Sequence, residues 1–203
     1  MPSQIKAVIF DFGGVLIDWS PYNLYQAYLP DKASIDAFFE EIDFYHWNAQ
    51  QDRGRSFAEG LAELSVKFPH RAALIAAYAD HWVDSIMGEI SETVAIFYRL
   101  KARGYPLYGL SNWSEETFSL ISDDYDFLNE LDEIVLSGKV KMIKPEPEIF
   151  HYLLERIPET AEECLFIDDS LSNVEAAQKL GFQTVHFKSA DGLEEKLKEY
   201  HLL

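Results

Sequence analysis

The sequence predicts an α/β fold: a parallel sheet covered by helices on both faces, with a helical bundle inserted early in the chain. Three observations predict it. From Ser91 onward short apolar runs alternate with helix-like stretches, the pattern of βαβ units. The first apolar run, Ala7-Val8-Ile9-Phe10, ends abruptly in Asp11 and the pair Gly13-Gly14, as a buried strand ends at a turn. Between about Asp18 and Ser91 no strong strand pattern is present, and helical stretches rich in aromatics take its place.

The elements follow in order. Gln4 to Asp11 is strand one. The insert holds helix-like stretches at Tyr22–Tyr28, Ser34–Phe44, Ser56–Phe68 and His70–Ile86. Ser34 is an N-cap candidate. Ser56-Phe57-Ala58-Glu59 is a capping-box candidate followed by Leu61, Leu64 and Phe68 at helical spacing, with Pro69 as the stop. The aromatics of this bundle read mostly as its core. A helix opens at Ser91-Glu92-Thr93, carries Val94, Phe97, Tyr98 and Leu100, and stops at Gly104. Pro106 to Leu110 is a strand ending in Ser111-Asn112, and Glu115 to Ile121 is helical. Glu133–Leu136 is the third strand. Glu146 to Arg156 is a helix with Pro145 at or near its first turn. Cys164–Ile167 is the fourth strand, ending in Asp168-Asp169. Leu171 to Leu180 is a helix stopped by Gly181, Thr184–Phe187 is the fifth strand, and Asp191 to Tyr200 is a polar final helix.

The chain has 203 residues and is 48% hydrophobic, enough for one large domain or a domain with a smaller insert. Its 35 Asp and Glu against 17 Lys and Arg give a net charge of −18. Such a field repels nucleic acid and anionic membrane surfaces. A phosphate ligand must therefore be small and must meet a local cation. The single cysteine, Cys164, lies in an apolar run and reads as a structural thiol; no internal disulfide is possible. The N-terminal stretch does not have the form of a signal peptide, and no run approaches a transmembrane span. The expected compartment is the cytoplasm.

Right-handed crossovers put all the strand C-terminal ends on one edge. Three of those ends are polar: Asp11, Ser111-Asn112 and Asp168-Asp169. Lys144 can reach the same edge from the loop after the third strand, and the insert leaves the chain just above it. A buried strand-end acid needs a partner; the bland reading is that Asp11 only caps a turn whose glycines supply unusual angles. Together, Asp11, Asp168 and Asp169 form a cluster of hard oxygen ligands suited to Mg²⁺, since carboxylates this close repel one another without a cation. Ser111 and Lys144 can hold a phosphoryl group. An aspartate can itself attack phosphorus, giving an aspartyl-phosphate.

These four segments, Asp11-Phe12-Gly13-Gly14-Val15, Leu110-Ser111-Asn112, Lys144-Pro145-Glu146-Pro147 and Ile167-Asp168-Asp169-Ser170 with Asn173, resemble the motifs of the haloacid dehalogenase-like hydrolase superfamily. The resemblance runs from strand one to strand five and is nearest the glucose-1-phosphatase-like branch. It implies a Rossmann-like five-stranded parallel sheet of order 5-4-1-2-3, with residues 1–17 and 89–203 as core and 18–88 as the helical cap. It implies Asp11 as nucleophile and metal ligand, Gly13 as a ligand through its carbonyl, and Asp168 and Asp169 as metal ligands. Ser111 and Lys144 then hold the phosphoryl group, and Asn112 supports the turn or the substrate.

One departure matters. Phosphatases of this superfamily carry a second aspartate two residues after the nucleophile, as general acid and base; here that position is Gly13. Such a group is typically worth about 10²–10⁴ in rate. A glycine there also occurs in the glucose-1-phosphatase-like branch. Either the leaving group is acidic enough to need no proton, or a cap residue shuttles one; Asp18, His46 and Asp52 are the candidates by location.

The expected activity is a Mg²⁺-dependent phosphomonoesterase acting on a small phosphorylated metabolite such as a sugar phosphate, by a monomer or weak homodimer. One alternative is a metal-independent 2-haloacid dehalogenase with Asp11 as nucleophile, against which Asp168-Asp169 argues. The other is a non-catalytic module that binds a phosphometabolite or a partner. Within the insert, Phe44–Asn48 and Gln51–Arg55 read as a polar, aromatic loop facing the site, where either Arg53 or Arg55 touches substrate or both are solvated loop charges. Trp113 either walls the pocket or packs. His81 and Trp82 read as cap core, and Lys139 and Lys141 as surface charges. His70, His151, His186 and His201 show no metal-ligand spacing.

Overall fold

The computed structural model describes residues 4–203. Its centre is β1 (Ala7–Phe10), every residue of which is buried. A run without polar alternation is what a strand covered on both faces requires. Side chains alternate across it. Val8 and Phe10 join one core layer with Leu107, Leu165 and Ile167, while Ala7 and Ile9 join a second layer with Tyr108, Leu110 and Phe166. Each large apolar side chain so placed stabilises the fold by about 1.5–3 kcal/mol.

Chain entry into the insert runs through β2 (Ile17–Trp19), and return runs through β3 (Ile86–Glu89). These pair antiparallel, with a register shift between Asp18 and Trp19. The sequence reading placed no strand here. Both are too short to show a period, and each carries exposed residues, one of three in β2 and two of four in β3. The expected 17/18 and 88/89 boundaries both fall inside this ribbon.

Between the two strands lie α1 (Pro21–Tyr25), α2 (Lys32–Ile42), α3 (Phe44–Asp52), α4 (Phe57–Lys67) and α5 (Ala72–Asp80). Four expectations need correction. Helix α2 is capped by Asp31, whose side chain accepts the Ser34 N–H at 2.8 Å, not by Ser34. The stretch expected as a loop, Phe44–Asn48 and Gln51–Arg55, is mostly α3. The single helix expected over His70–Ile86 is α5 flanked by 3₁₀ turns at Pro69–Arg71 and Trp82–Ser85. His81 is exposed rather than core. The expected cap at Ser56 is present: its Oγ accepts the Glu59 N–H at 3.2 Å and donates to Glu59 Oε2 at 2.8 Å. Around Tyr25, Phe38, Phe39, Phe44, Trp47, Phe57 and Tyr78 the bundle builds an aromatic core, including a Phe39–Phe44 stack at 4.4 Å.

The chain then forms α6 (Ser91–Ala102), β4 (Leu107–Ser111), α7 (Glu115–Phe118), β5 (Glu133–Leu136), α8 (Ser137–Val140), α9 (Pro147–Leu154), β6 (Cys164–Asp168), α10 (Leu171–Lys179), β7 (Gln183–His186) and α11 (Ala190–Glu199). Pro147, not Pro145, opens α9. The main sheet runs β5-β4-β1-β6-β7, all parallel. Counted within the sheet alone this is 3-2-1-4-5, the expected order read from the other edge. Strand β1 therefore sits between β4 and β6, so Asp11 emerges between Ser111 and Asp168.

Gly109 in β4 makes that junction possible. A Cβ there would lie 2.4 Å from the Phe12 ring, so only glycine lets Phe12 fold back against the sheet.

Candidate active site

Asp11 extends the β1 ladder: its N–H donates to Ile167 O at 2.9 Å. Its Oδ1 accepts the Phe12 N–H at 2.7 Å and Ser111 Oγ–H at 2.7 Å, and lies 3.0 Å from Lys144 Nζ. The residue is only 8% exposed. Burial raises its pKa to about 7; Lys144 and the Ser111 hydrogen bond oppose the rise, while the charges of Asp168 and Asp169 add to it.

Lys144 is buried and spends its ammonium fully, on Leu110 O at 2.8 Å, Asp168 Oδ2 at 2.6 Å and Asp11. Burial alone would push its pKa down; the charges of Asp11 and Asp168 outweigh that, so it stays above its ordinary value. Asn112 fixes the Lys144 backbone reciprocally, donating Nδ2–H to Lys144 O at 2.9 Å and accepting the Lys144 N–H at 2.8 Å. Its amide is thus occupied with the Lys144 loop, which leaves one N–H for anything else. Asp168, fully buried, is oriented by the Ser170 N–H at 2.8 Å and by Asn173 Nδ2 at 3.1 Å to both oxygens.

Asp11, Asp168 and Asp169 each offer an oxygen within 4.8 Å of the others. Three carboxylates so placed are hard oxygen donors of the kind a divalent ion takes. Burial first, and then the charge of Asp168, push Asp169 above its usual pKa. The donor set therefore fits Mg²⁺.

The two glycines after Asp11 differ in kind. Gly14 has φ +75°, and a Cβ there would lie 2.7 Å from Asp169 Oδ2. Gly14→Ala is expected to cost more than about 1 kcal/mol, because a side chain at positive φ is strained, and to weaken Mg²⁺ binding by displacing Asp169. Thermal melts and Mg²⁺ titration check this; an unchanged Mg²⁺ midpoint counts against it. Gly13 has no positive φ, and a Cβ there would meet only Trp113 at 3.8 Å and Trp19 at 4.0 Å, ordinary contact distances. The backbone does not require glycine at 13.

Above Gly13 lies a cavity lined also by Trp19, Asn48, Asp52, Phe57, Tyr78, Trp82, Asn112, Trp113 and Thr117. Helix α3 delivers Asn48 and Asp52. Its inward stripe is Phe44, Trp47, Asn48 and Gln51, with Asp52 partly buried beside it. Tyr78 OH donates to Asn48 Oδ1 at 3.0 Å, and Asn48 Nδ2 donates to Asp52 Oδ2 at 3.0 Å. The Asp52 backbone oxygen accepts Ser137 Oγ at 2.5 Å. Burial pushes the Asp52 carboxyl up to about 8, with the Asp11 charge adding to the shift and hydrogen bonds from Ser114 N–H and Asn48 opposing it.

Both Asp11 and Asp52 titrate above their unfolded values. Between about pH 4 and 8 the folded protein therefore holds protons that the unfolded chain has released, and stability falls as pH rises through that window. In chelator the loss is on the order of a few kcal/mol, seen as a lower Tm at pH 8 than at pH 5. Asp52→Asn is expected to flatten part of that slope. Equal Tm at both pH values would rule this out.

The remaining sequence candidates separate cleanly. Asp18 and His46 are exposed and do not line the cavity. Arg53 pairs with Glu146 of the core in two hydrogen bonds, one at 2.9 Å. Arg55 is held by Gln51 and by Glu63, both at 2.7 Å. Of the two readings, substrate contact or loop charge, the structure shows both guanidinium groups in ion pairs. Trp113 walls the cavity and packs on Trp82 at 5.8 Å. Lys139 and Lys141 are exposed. Cys164 is buried, with a thiol that burial raises to about 12. Sequence reasoning gave no role to Ser137 and quoted Glu146 only within a motif; both tie cap to core, Ser137 through Asp52 O and Glu146 through Arg53, and single polar contacts between distant segments carry no periodic signal. No helix among the described residues is long and apolar enough to cross a membrane.

Residues 5–181 match the haloacid dehalogenase-like hydrolase family profile. The chain is 29% identical to a sesquiterpene phosphatase of Aspergillus oryzae, over 92% of this chain and 91% of that protein. It is 26% identical to D-ribitol-5-phosphate phosphatase of Bacteroides thetaiotaomicron, over 89% of this chain and 91% of the relative. A family enzyme from Bacteroides thetaiotaomicron, crystallised with magnesium and inorganic phosphate, superposes with a TM-score of 0.69 at 26% identity, covering 91% of this chain and 94% of its own.

Proposed function

The chain belongs to the haloacid dehalogenase-like hydrolase family, and we propose that it is a Mg²⁺-dependent phosphomonoesterase working through an aspartyl-phosphate on Asp11. The observation that carries this reading is the junction of Asp11, Ser111, Lys144 and Asp168, joined at 2.6 to 3.0 Å. A free oxygen of Asp11 attacks phosphorus. Ser111 Oγ–H and Lys144 Nζ, which face Asp11 Oδ1 at 2.7 and 3.0 Å, turn from it to the transferring oxygens, and Lys144 offsets their charge. Asp11, Asp168, Asp169 and the Gly13 carbonyl would hold Mg²⁺, whose charge offsets that of the carboxylates and the phosphate. Water then hydrolyses the acyl-phosphate and frees Asp11.

Phosphate chemistry is supported over dehalogenation by the two acids Asp168 and Asp169, which metal-independent displacement of halide does not need. It is supported also by relatives that bear phosphatase names and by a neighbour that binds magnesium and phosphate. The substrate class is the phosphate ester of a compact alcohol, such as a sugar or polyol. The cavity over Gly13 is small, and aromatic rings wall it.

A panel of small phosphate esters and 2-haloacids, assayed with Mg²⁺ and in excess chelator, tests the reading. Phosphate release is expected only with Mg²⁺, and no halide release in either condition. Halide release from 2-chloropropionate that survives chelator would replace this reading with the dehalogenase.

A further inference from the structure

With no side chain at Gly13, nothing on the nucleophile loop can give a proton to the departing alcohol. The leaving oxygen sits opposite the attacking one, on the cap side of phosphorus. We propose that Asp52, carried by α3 of the cap, is the proton donor to the leaving alcohol and the proton acceptor for the incoming water. This rests on the phosphatase reading above.

Three observations point to Asp52. Of the cap acids and bases the sequence offered, it alone lines the cavity whose wall includes Gly13; Asp18 and His46 do not. The cavity opens where a side chain at 13 would project, since a Cβ there meets only the Trp113 ring and Trp19 Cβ at 3.8 and 4.0 Å. The same cavity is lined by Trp113, whose Nε1–H finds no acceptor among the described residues although the residue is only 5% exposed. A buried donor left unpaired costs about 1–3 kcal/mol, which an acceptor on a bound ligand within its reach recovers. The cavity is thus built to receive the alcohol portion of the substrate.

Asp52 is also suited to the role chemically. Its carboxyl is fixed by Asn48, itself held by Tyr78, and by the Ser114 N–H. Its neighbour Arg53 is turned away to Glu146. The charged group facing it from the core is Asp11, and with burial this keeps the proton on near neutral pH. In the first half-reaction the Asp11 Oδ–P bond forms and the P–O ester bond breaks. That bond's electron pair stays on the ester oxygen, which takes the Asp52 proton and leaves as the alcohol. In the second, water attacks phosphorus and gives its proton to the Asp52 carboxylate. The Asp11–P bond breaks, its electron pair returning to the carboxylate.

The test compares kcat/KM of wild type and Asp52→Asn on glycerol phosphate and on p-nitrophenyl phosphate. The nitrophenolate departs without a proton; the alkoxide does not. Asp52→Asn is expected to lose about 10²–10⁴-fold on glycerol phosphate and less than about 10-fold on the aryl ester. Partial unfolding lowers both rates equally, so the ratio of the two losses reports the proton alone. Parallel losses, or an unchanged rate on glycerol phosphate, overturn the proposal. Should the Asn variant not fold, Asp52→Ser is read by the same ratio. Wild-type turnover of glycerol phosphate that Asp11→Asn removes keeps the phosphatase reading standing whatever Asp52 does. No wild-type turnover of either ester overturns both.

Discussion

Asp11→Asn is expected to lower kcat on any phosphate ester by about 10⁴-fold or more, the scale on which removing a nucleophile acts. The amide oxygen can still accept the hydrogen bonds that Asp11 Oδ1 takes from Phe12 N–H and Ser111 Oγ–H, both at 2.7 Å. The fold around the site is therefore retained, and what is lost is the attacking oxygen. Without metal, Tm should hold or rise, because the substitution removes one of three mutually repelling carboxylates. Steady-state phosphate release and a thermal melt in chelator check both halves. Equal phosphate release by the variant would show that Asp11 is not the nucleophile.

Lys144→Met has the largest expected effect on stability. The Lys144 side chain is 0% exposed, and Asp168 beside it is equally buried. Removing one partner of a buried pair leaves the other charge uncompensated, at about 3–5 kcal/mol. For a chain of this length that is a fall in Tm of roughly 10 °C. The loss should shrink as Mg²⁺ is added, because a divalent ion neutralises the same carboxylates. It should also be smaller at pH 5 than at pH 8, where Asp11, titrating near 7, carries its charge. Phosphatase activity should be lost even where Mg²⁺ restores Tm, since Lys144 also binds the phosphoryl group in the proposed reaction. A change in Tm below about 2 °C would mean that the lysine does not balance the buried acids.

The parts of the candidate site were legible in the sequence because each is local. A strand end, an acid and a glycine pair lie within a few residues, and parallel topology sends Asp11, Ser111 and Asp168 to one edge. The cap was legible only in outline. Helix α3 hides because its buried stripe mixes Phe44 and Trp47 with Asn48 and Gln51. Those amides are satisfied inside, Gln51 by Trp47 O and Arg55 and Asn48 by Tyr78 and Asp52. A helix whose inner face is half polar shows no apolar period and reads as a loop. The ribbon of β2 and β3 hides for a different reason, since three or four half-exposed residues are too few to set a pattern.

By itself, then, the sequence determined the parallel sheet, the four motifs on its edge and the absence of an acid at position 13. Those features depend on residue type and near-neighbour order. Tertiary structure decided what that absence means. It showed that Gly14 is held to glycine by its backbone and by Asp169, whereas Gly13 is not. It paired Arg53 with Glu146 and Arg55 with Glu63. It also brought Asp52 and the unpaired Trp113 N–H to the cavity over Gly13. Cap and core meet there through single long-range contacts, Ser137 to Asp52 among them, and no pattern along the chain encodes a contact that only the closed packing of two distant segments creates.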